Sequence, residues 1–591
     1  MQLPAFTTRP DLRGDFGMVA STHWLGTAVG MGVLERGGNA ADAAVATGFV
    51  LQVVEPHLNG PGGEVPILLW DPAERAVRVI AGQGVTPAAA TIDRYRDEGL
   101  TTVPGTGLLA ATVPGAFGAW LTLLERWGTW RLADVLAPAI HYADKGFPAL
   151  PAIRATIEAV AGTFRADWPD SAALWLPGGA VPAAGDRLRN PVLVATWRRL
   201  LAESQGASRE AEIEAARRAF YEGFVADAIE RHVRVPVRDA SGARHAGVLT
   251  GKDLAGWRCP IEEPVTFDYH GYRVCKTGPW AQGPVFLQQL ALLAGFDLAG
   301  LEFLGADYLH TVVECAKLAF ADREAWYGDG QVPLADLLSP AYNDQRRSLV
   351  GEQASTELRP GSPAGRIPRL PALPGETGTE PVVGAGEPTV DAQGRTRGDT
   401  CHLDVVDQWG MHISATPSGG WLQSSPAIAE LGFCLGTRAQ MTWLQDGLPS
   451  SLRPGVRPRS TLSPSLALRD GEPYLAFGTP GGDQQDQWSL LFFLAHVHFG
   501  LSLQQAIDAP MLHSTHFPSS FWPRASDPAG LVVEGRIPLP VRDELARRGH
   551  RITVAGDWAL GRLSAAGREP GTGFLRAAAN PRGAAGYAAG R

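Results

Sequence analysis

The stretch "RTRGDTCHLDVVDQWGMHISATPSGGW" (Arg395–Trp421) changes character at Thr400. From about Gly351 to Asp399 apolar periodicity vanishes and Pro and Gly accumulate, as in "RPGSPAGRIPRLPALPGETG". An irregular run of that length inside a compact protein is a functional segment or a linker. From Cys401 the sequence reads strand, turn, strand, with "CHLDVVD" and "MHISATP" on either side of a Trp-Gly turn. A run without periodicity that ends on Asp399-Thr400, at the mouth of a buried hairpin, raises the question of chemistry at the junction. A threonine hydroxyl is a weak nucleophile and needs an adjacent base; a free N-terminal amine, with a pKa of about 8, can serve. Cleavage between Asp399 and Thr400 would create that amine. Cys401 is a second candidate nucleophile, and these residues alone do not separate the two.

Outward from the junction the chain divides in texture. Before it, "MVAS" (Met18–Ser21) is a short strand, followed by a helix, a corner at Gly37-Gly38 with Asn39 as a cap, and an Ala-rich helix. "EVPILLWDPAERAVRVIAG" alternates as two strands about a polar turn. Residues 112–235 carry helical periodicity, and so does "FLGADYLHTVVECAKLAFADREAWYGD", ending at Gly328. After the junction strands dominate ("PSLALRD", "PYLAFGTPGG"), with helices at "DQWSLLFFLAHVHFG" and near "PVRDELARRGH". The expected class is α+β, with a largely helical first part and a strand-rich second part.

A net charge of −9 and a pI near 5.9 argue against a nucleic-acid partner. Paired arginines (Arg217-Arg218, Arg346-Arg347, Arg547-Arg548) read as solvated helix faces. Five scattered cysteines without a CxxC pair indicate neither a disulfide framework nor a zinc site. No HExxH is present, and His496 and His498 alternate in an apolar run as core histidines do, so neither metal nor cofactor is expected. The N-terminus lacks a basic-then-apolar leader and no apolar run is long enough to cross a bilayer, so a cytoplasmic protein without membrane or nucleic-acid partners is expected.

Two further stretches carry candidate chemistry. In "AFGTPGGDQQDQWS" a strand ends in Gly481-Gly482 and runs into a helix, a corner at which backbone N–H groups can converge as an oxyanion hole. No Lys-Ser/Thr follows, which excludes a P-loop. In "RPRSTLSPS" the hydroxyls of Ser460, Thr461 and Ser463 look exposed and suit hydrogen bonding to a substrate.

Taken in order, "GVLERGGNAADAAVATGFVLQVVEPH", "GTGLLAATVPGAFGAWLTLLERWG", "LAPAIHYADKGF", "GVLTGKDLAGW", "HTVVECAKLAFADREAWYGD", "DTCHLDVVDQWGMHISAT", "RPRSTLSPSL", "GTPGGDQQDQW" and "NPRGAAGYAAGR" resemble the γ-glutamyltransferase (γ-glutamyltranspeptidase) family of N-terminal nucleophile hydrolases. The resemblance spans nearly the whole chain. It implies a four-layer αββα sandwich and a precursor that cuts itself before a threonine. The matching residue is Thr400, so the implied parts are residues 1–399, irregular from about 351, and 400–591. It places Cys401 on the second residue of the family's Thr-Thr-His run. It implies that the Thr400 hydroxyl, aided by its own α-amine, attacks an amide carbonyl, with Gly481 and Gly482 holding the oxyanion and Ser418 bonding the amine. Ser460 and Thr461 match a Ser-Ser pair that binds the substrate carboxylate. Whether two such heterodimers pair into a homodimer is left open.

The departures bear on substrate. The family's Arg that grips a glutamyl α-carboxylate would fall near Gln83, its Asn at Gly420, and its amine-pairing Asp at Gln440 or Met441. Each charge-assisted contact is worth about 1.5–3 kcal/mol. Trp421, Trp443, Trp488 and a new cation, Arg438, stand in the region instead, a pocket for a carboxylate held by Arg438 or for an aromatic acyl group. The expectation is an autoprocessing Thr amidohydrolase or acyltransferase acting on a small amide other than a standard γ-glutamyl compound. Oxamate-amidohydrolase-like and cephalosporin-acylase-like relatives have this style of pocket. A true glutathione hydrolase/γ-glutamyltransferase, and an uncleaved binding protein of the same fold, are the competing expectations.

Overall fold

In the strand Leu403–Asp407 Leu403 and Val405 pack into one apolar cluster while Val406 packs into another. Gly17–Ser21 behaves alike, with Val19 on one side and Met18 and Ala20 on the other, and so does Val65–Asp71. This period of two, with both faces apolar, marks strands covered on both sides. The computed structural model, which describes residues 6–373 and 400–591, shows what covers them.

Two seven-stranded antiparallel sheets lie face to face. The first runs in the order Tyr587–Gly590, Gly17–Ser21, Leu403–Asp407, His412–Ala415, Val65–Asp71, Ala76–Gly82, Ile261–Glu262. The second runs Leu12–Gly14, Leu575–Ala579, Ser564–Arg568, Glu472–Gly478, Ser465–Arg469, Tyr272–Lys276, Val265–Tyr269. Between them Leu68, Trp70 and Val79 meet Cys275, Leu466 and Ala476, and Met18, Ala20 and Val406 meet Ala566, Ala577 and Ala579. Outside the first sheet pack Trp24–Glu35, Ala40–Val54 and the helices from Ala116 to Val233; outside the second pack Gly283–Leu293, Ala306–Trp326 and Gln485–Phe499. The result is the expected α+β, four-layer αββα sandwich.

Local signals work as read. Gly37 turns the corner with φ +90°, and Asn39 and Asp42 form a capping box that starts the Ala-rich helix. Asp407 bonds the Ala40 amide at 2.8 Å, which ties that helix to the central strand. Both sheets draw strands from either side of residue 400. Sequence reading missed the hairpin Val265–Tyr269/Tyr272–Lys276, whose turn residues His270 (φ 48°) and Gly271 (φ 81°) carry it into the second sheet. Two expectations are corrected. Ser460, Thr461 and Ser463 are buried, with Ser460 bridged to Ala281 and Ser463 bonded to Gln485 and Asp486. Arg217 and Arg346 turn inward, Arg217 onto Glu125 and Glu214 and Arg346 onto Asp322. Among the described residues no helix is long and apolar enough to cross a membrane.

Candidate active site

Thr400 is fully buried and forms an antiparallel bridge with Ser418, just ahead of the central hairpin. Their hydroxyl oxygens lie 3.2 Å apart. Asp399, the other half of the expected cleavage point, lies outside the described residues. Cys401 points to the other side of the strand, into the helical layer. Its thiol donates to Glu55 Oε2 at 3.0 Å, and Glu55 also accepts from Thr22 at 2.6 Å. Burial, reinforced by that carboxylate, pushes the Cys401 thiol well above its ordinary pKa, so it is held protonated.

Ser418 is fixed by Glu64. The two exchange backbone hydrogen bonds, Glu64 N to Ser418 O at 2.8 Å and Ser418 N to Glu64 O at 2.9 Å. Gly63 permits this approach, since a Cβ there would stand 2.1 Å from Ser418 O. The Glu64 carboxylate forms a buried ion pair with Arg438 Nε. Arg438 Nη2 in turn donates to Ser418 Oγ at 2.6 Å. The guanidinium is closed in by Trp421 and Phe521, at 5.3 and 5.6 Å from their ring centres, and Nη1 lies 3.7 Å from Met441 Sδ. Arg438, expected as a cation for a substrate carboxylate, is paired with Glu64 and bonded to Ser418.

The glycine corner lies against the same cluster. After Glu472–Gly478 the chain turns through Gly481 (φ 128°) and Gly482 (φ 55°) into Gln485–Phe499. A Cβ on Gly481 would stand 2.3 Å from the Trp488 ring, and one on Gly482 3.1 Å from Phe521. Beneath the turn, Asp483 accepts from Ser520 N at 2.8 Å and Ser520 Oγ at 2.6 Å and pairs with Arg323. Burial would raise the Asp483 carboxyl, but Arg323 and the Ser520 bonds outweigh it and hold the pKa below its ordinary value. Gln282 Nε2 donates to Gly482 O at 3.3 Å. Arg562 joins the corner to Thr400, its amide bonding Thr479 Oγ1 at 3.0 Å and its Nη2 bonding Thr400 O at 3.4 Å.

The other expected residues sit at graded distances from this centre. Gly420 (φ 66°) rests on the Gly62-Gly63 backbone beside Ser418. Trp421 walls the cluster directly, whereas Trp443 packs under Arg524 at 4.4 Å. Ser460 is tied through Trp280 O at 2.8 Å to the segment that carries Gln282, and Thr461 Oγ1 is buried without a hydrogen-bond partner. Among the described residues the Gln83 side chain bonds its neighbour Gly84 O, at 3.2 Å, and its buried Oε1 finds no partner. Gln440 is consumed by loop contacts, to Gly105 O at 3.0 Å and from Trp522 N at 3.2 Å. Sequence reading missed Glu64, Phe521 and Arg562. For Glu64 a signal existed, a carboxylate directly after two glycines and just ahead of the apolar run 65–70.

One group away from this centre has metal-ligand character: His310, Glu314 and His550 approach within 4.8 Å. His310 Nδ1 and His550 Nε2 already bond each other at 2.9 Å, while Lys317 and Arg359 pair with Glu314. Two cations on the one carboxylate oppose a metal ion there. A cavity of about 450 Å³, lined by residues including Trp326, Ile367, Arg369 and Leu452, does not include Thr400.

Comparison with known proteins accords with this geometry. The profile of the gamma-glutamyltranspeptidase family matches residues 26–590. A solved structure of LmbA2991HD is 57% identical, covering 99% of this chain and 100% of that one with a TM-score of 0.93. Cephalosporin acylase from Bacillus halodurans is 28% identical, covering 100% and 98% with a TM-score of 0.82. The glutathione hydrolase-like YwrD proenzyme of Bacillus subtilis (strain 168) is 31% identical over 96% of this chain and 97% of its own.

Proposed function

We propose, since this chain belongs to the gamma-glutamyltranspeptidase family of amidohydrolases, that it cuts itself before Thr400 and then uses the freed threonine on a small amide lacking the γ-glutamyl head group. The observation that carries this reading is the pairing of Thr400 with Ser418 at 3.2 Å, while the adjacent thiol of Cys401 is turned away and held protonated. In the continuous chain the Thr400 nitrogen is an amide and cannot act as a base. Cleavage converts it to an amine next to its own hydroxyl, beside Ser418.

The chemistry then follows from the residues. The Thr400 amine takes the hydroxyl proton as Oγ1 attacks the amide carbonyl. The corner at Gly481 and Gly482 supplies backbone N–H groups for the oxyanion. Collapse expels the amine, and water or an acceptor amine resolves the ester. The geometry favours a non-glutamyl acyl group because Glu64 neutralises Arg438, the cation nearest Ser418, and Gln83 replaces the carboxylate-gripping arginine. Trp421, Met441 and Phe521 offer an apolar wall instead.

Denaturing electrophoresis with intact mass measurement tests the first step. The 62.8 kDa chain should resolve into fragments of about 42 and 20 kDa, scaled by residue number. Thr400→Ala should stay whole. A wild-type chain that stays whole after prolonged incubation at neutral pH overturns the reading.

A further inference from the structure

We propose that Glu64 and Arg438 are a positioning pair that sets the direction of the Ser418 hydroxyl toward Thr400. The inference rests on the self-cleavage reading above and assigns a role to two residues outside it.

The pair closes a ring of contacts. Glu64 holds Ser418 by two backbone bonds, at 2.8 and 2.9 Å, and its carboxylate holds Arg438. Arg438 returns to the Ser418 side chain at 2.6 Å. A serine held at its amide, its carbonyl and its hydroxyl by one partner system has its side-chain rotamer fixed. The guanidinium cannot drift out of this ring, because Trp421 and Phe521 cover it and Met441 bounds its end.

The ring also orders protons. A guanidinium has donors and no acceptor, so Ser418 Oγ is the acceptor in its bond to Arg438. One lone pair of Ser418 is thereby filled, which restricts the directions open to its proton and second lone pair beside Thr400, 3.2 Å away. That matters in self-cleavage. There Thr400 Oγ1 forms an ester bond to the preceding carbonyl carbon while the C–N bond breaks and the nitrogen takes the hydroxyl proton. Water then opens the ester, leaving a carboxylate on one fragment and a free amine and hydroxyl on Thr400. A buried ion pair is a weak device for stability, since apolar replacements often hold a fold as well. Directing a neighbouring hydroxyl is a task that an apolar pair cannot perform.

The test is a double-mutant comparison read by the rate of self-cleavage, which needs no substrate. Arg438→Met and Glu64→Gln are made in the wild-type and Ser418→Ala backgrounds, with thermal melting to confirm folding. Each should slow cleavage about tenfold or more in the presence of Ser418, shift its pH–rate profile, and change little once Ser418 is Ala, because the pair acts through that hydroxyl. Arg438→Lys should restore part of the rate. Equal slowing in both backgrounds, or unchanged cleavage by folded Arg438→Met and Glu64→Gln, overturns the inference while leaving self-cleavage intact. Should Arg438→Met not fold, Glu64→Gln, which keeps an oxygen for Arg438, carries the same comparison. An uncut wild type instead sinks the processing reading.

Discussion

The Arg323 guanidinium, on the helix Ala306–Trp326, meets the Asp483 carboxylate at the glycine corner, joining segments on opposite sides of Thr400. Both side chains are buried, and Glu324, Arg459 and Ser520 complete the network. Removing the Asp483 charge leaves Arg323 and Arg459 sharing the single carboxylate of Glu324. Asp483→Asn should therefore destabilise the fold by about 3–5 kcal/mol. Urea denaturation measures this, and an unchanged midpoint would show that the network is dispensable.

The backbone of the corner makes its own prediction. Gly481→Ala combines a φ of 128° with a Cβ placed 2.3 Å from the Trp488 ring. Strain and overpacking each cost about 1–3 kcal/mol. The variant should melt lower than wild type and lose activity. Trp488→Leu in the same chain should restore part of the melting temperature but not the activity, since the backbone strain persists.

Substrate preference follows from the missing clamps. Two lost charge-assisted contacts at about 1.5–3 kcal/mol each amount to about 10²–10⁴ in recognition. γ-Glutamyl-p-nitroanilide should be turned over with a kcat/KM at least about 10²-fold below that of a short acyl p-nitroanilide without an α-carboxylate. Preferential release from the glutamyl compound would show that the chain is a conventional glutathione hydrolase.

Stability should fall on acidification from neutral pH. Burial holds His57 and His513 at a pKa of about 3 and His412 at about 4, while in the unfolded chain they take protons near 6.5. These depressed values mean that the stability is full above about 6.5 and is lost as pH falls toward the folded values. His513, which makes no hydrogen bond through either ring nitrogen, is the cleanest probe. His513→Leu should flatten the stability–pH slope by about 1.4 kcal/mol per pH unit between about pH 5.5 and 4. An unaltered slope would place the acid sensitivity elsewhere.

The architecture was legible where one residue pattern has one structural meaning. Period-two runs such as Leu403–Asp407 announce strands, and the Asn39 cap and Gly37 corner announce a helix pair. The hairpin Val265–Tyr269/Tyr272–Lys276 escaped because its exposed positions include the charged Asp268 and Arg273 and it falls between two helical stretches. At the candidate site, Thr400 and the glycine pair stood out as candidates by local order along the chain, whereas Ser418, and the choice of Thr400 over Cys401, came from the family resemblance. Glu64 did not stand out, for its meaning depends on Arg438, 374 residues away. The same long-range pairing accounts for Arg438 being read as a cation for substrate. Sequence shows that a charge exists, and only the fold shows what already neutralises it.

The strand Gly17–Ser21 lies between Tyr587–Gly590 and Leu403–Asp407, hydrogen-bonded to both. A cut before Thr400 would thus alter covalent connectivity while leaving the sheet whole. The route back from the unfolded state would be altered altogether. The uncut chain closes this sheet by an intramolecular search. The cut pieces must find each other at a rate set by their concentration, each meanwhile exposing strand edges that invite aggregation. Separate production and mixing of the two pieces should therefore give poor recovery of the assembled form. The single polypeptide would act as a built-in assembly tether, needed once and then discarded.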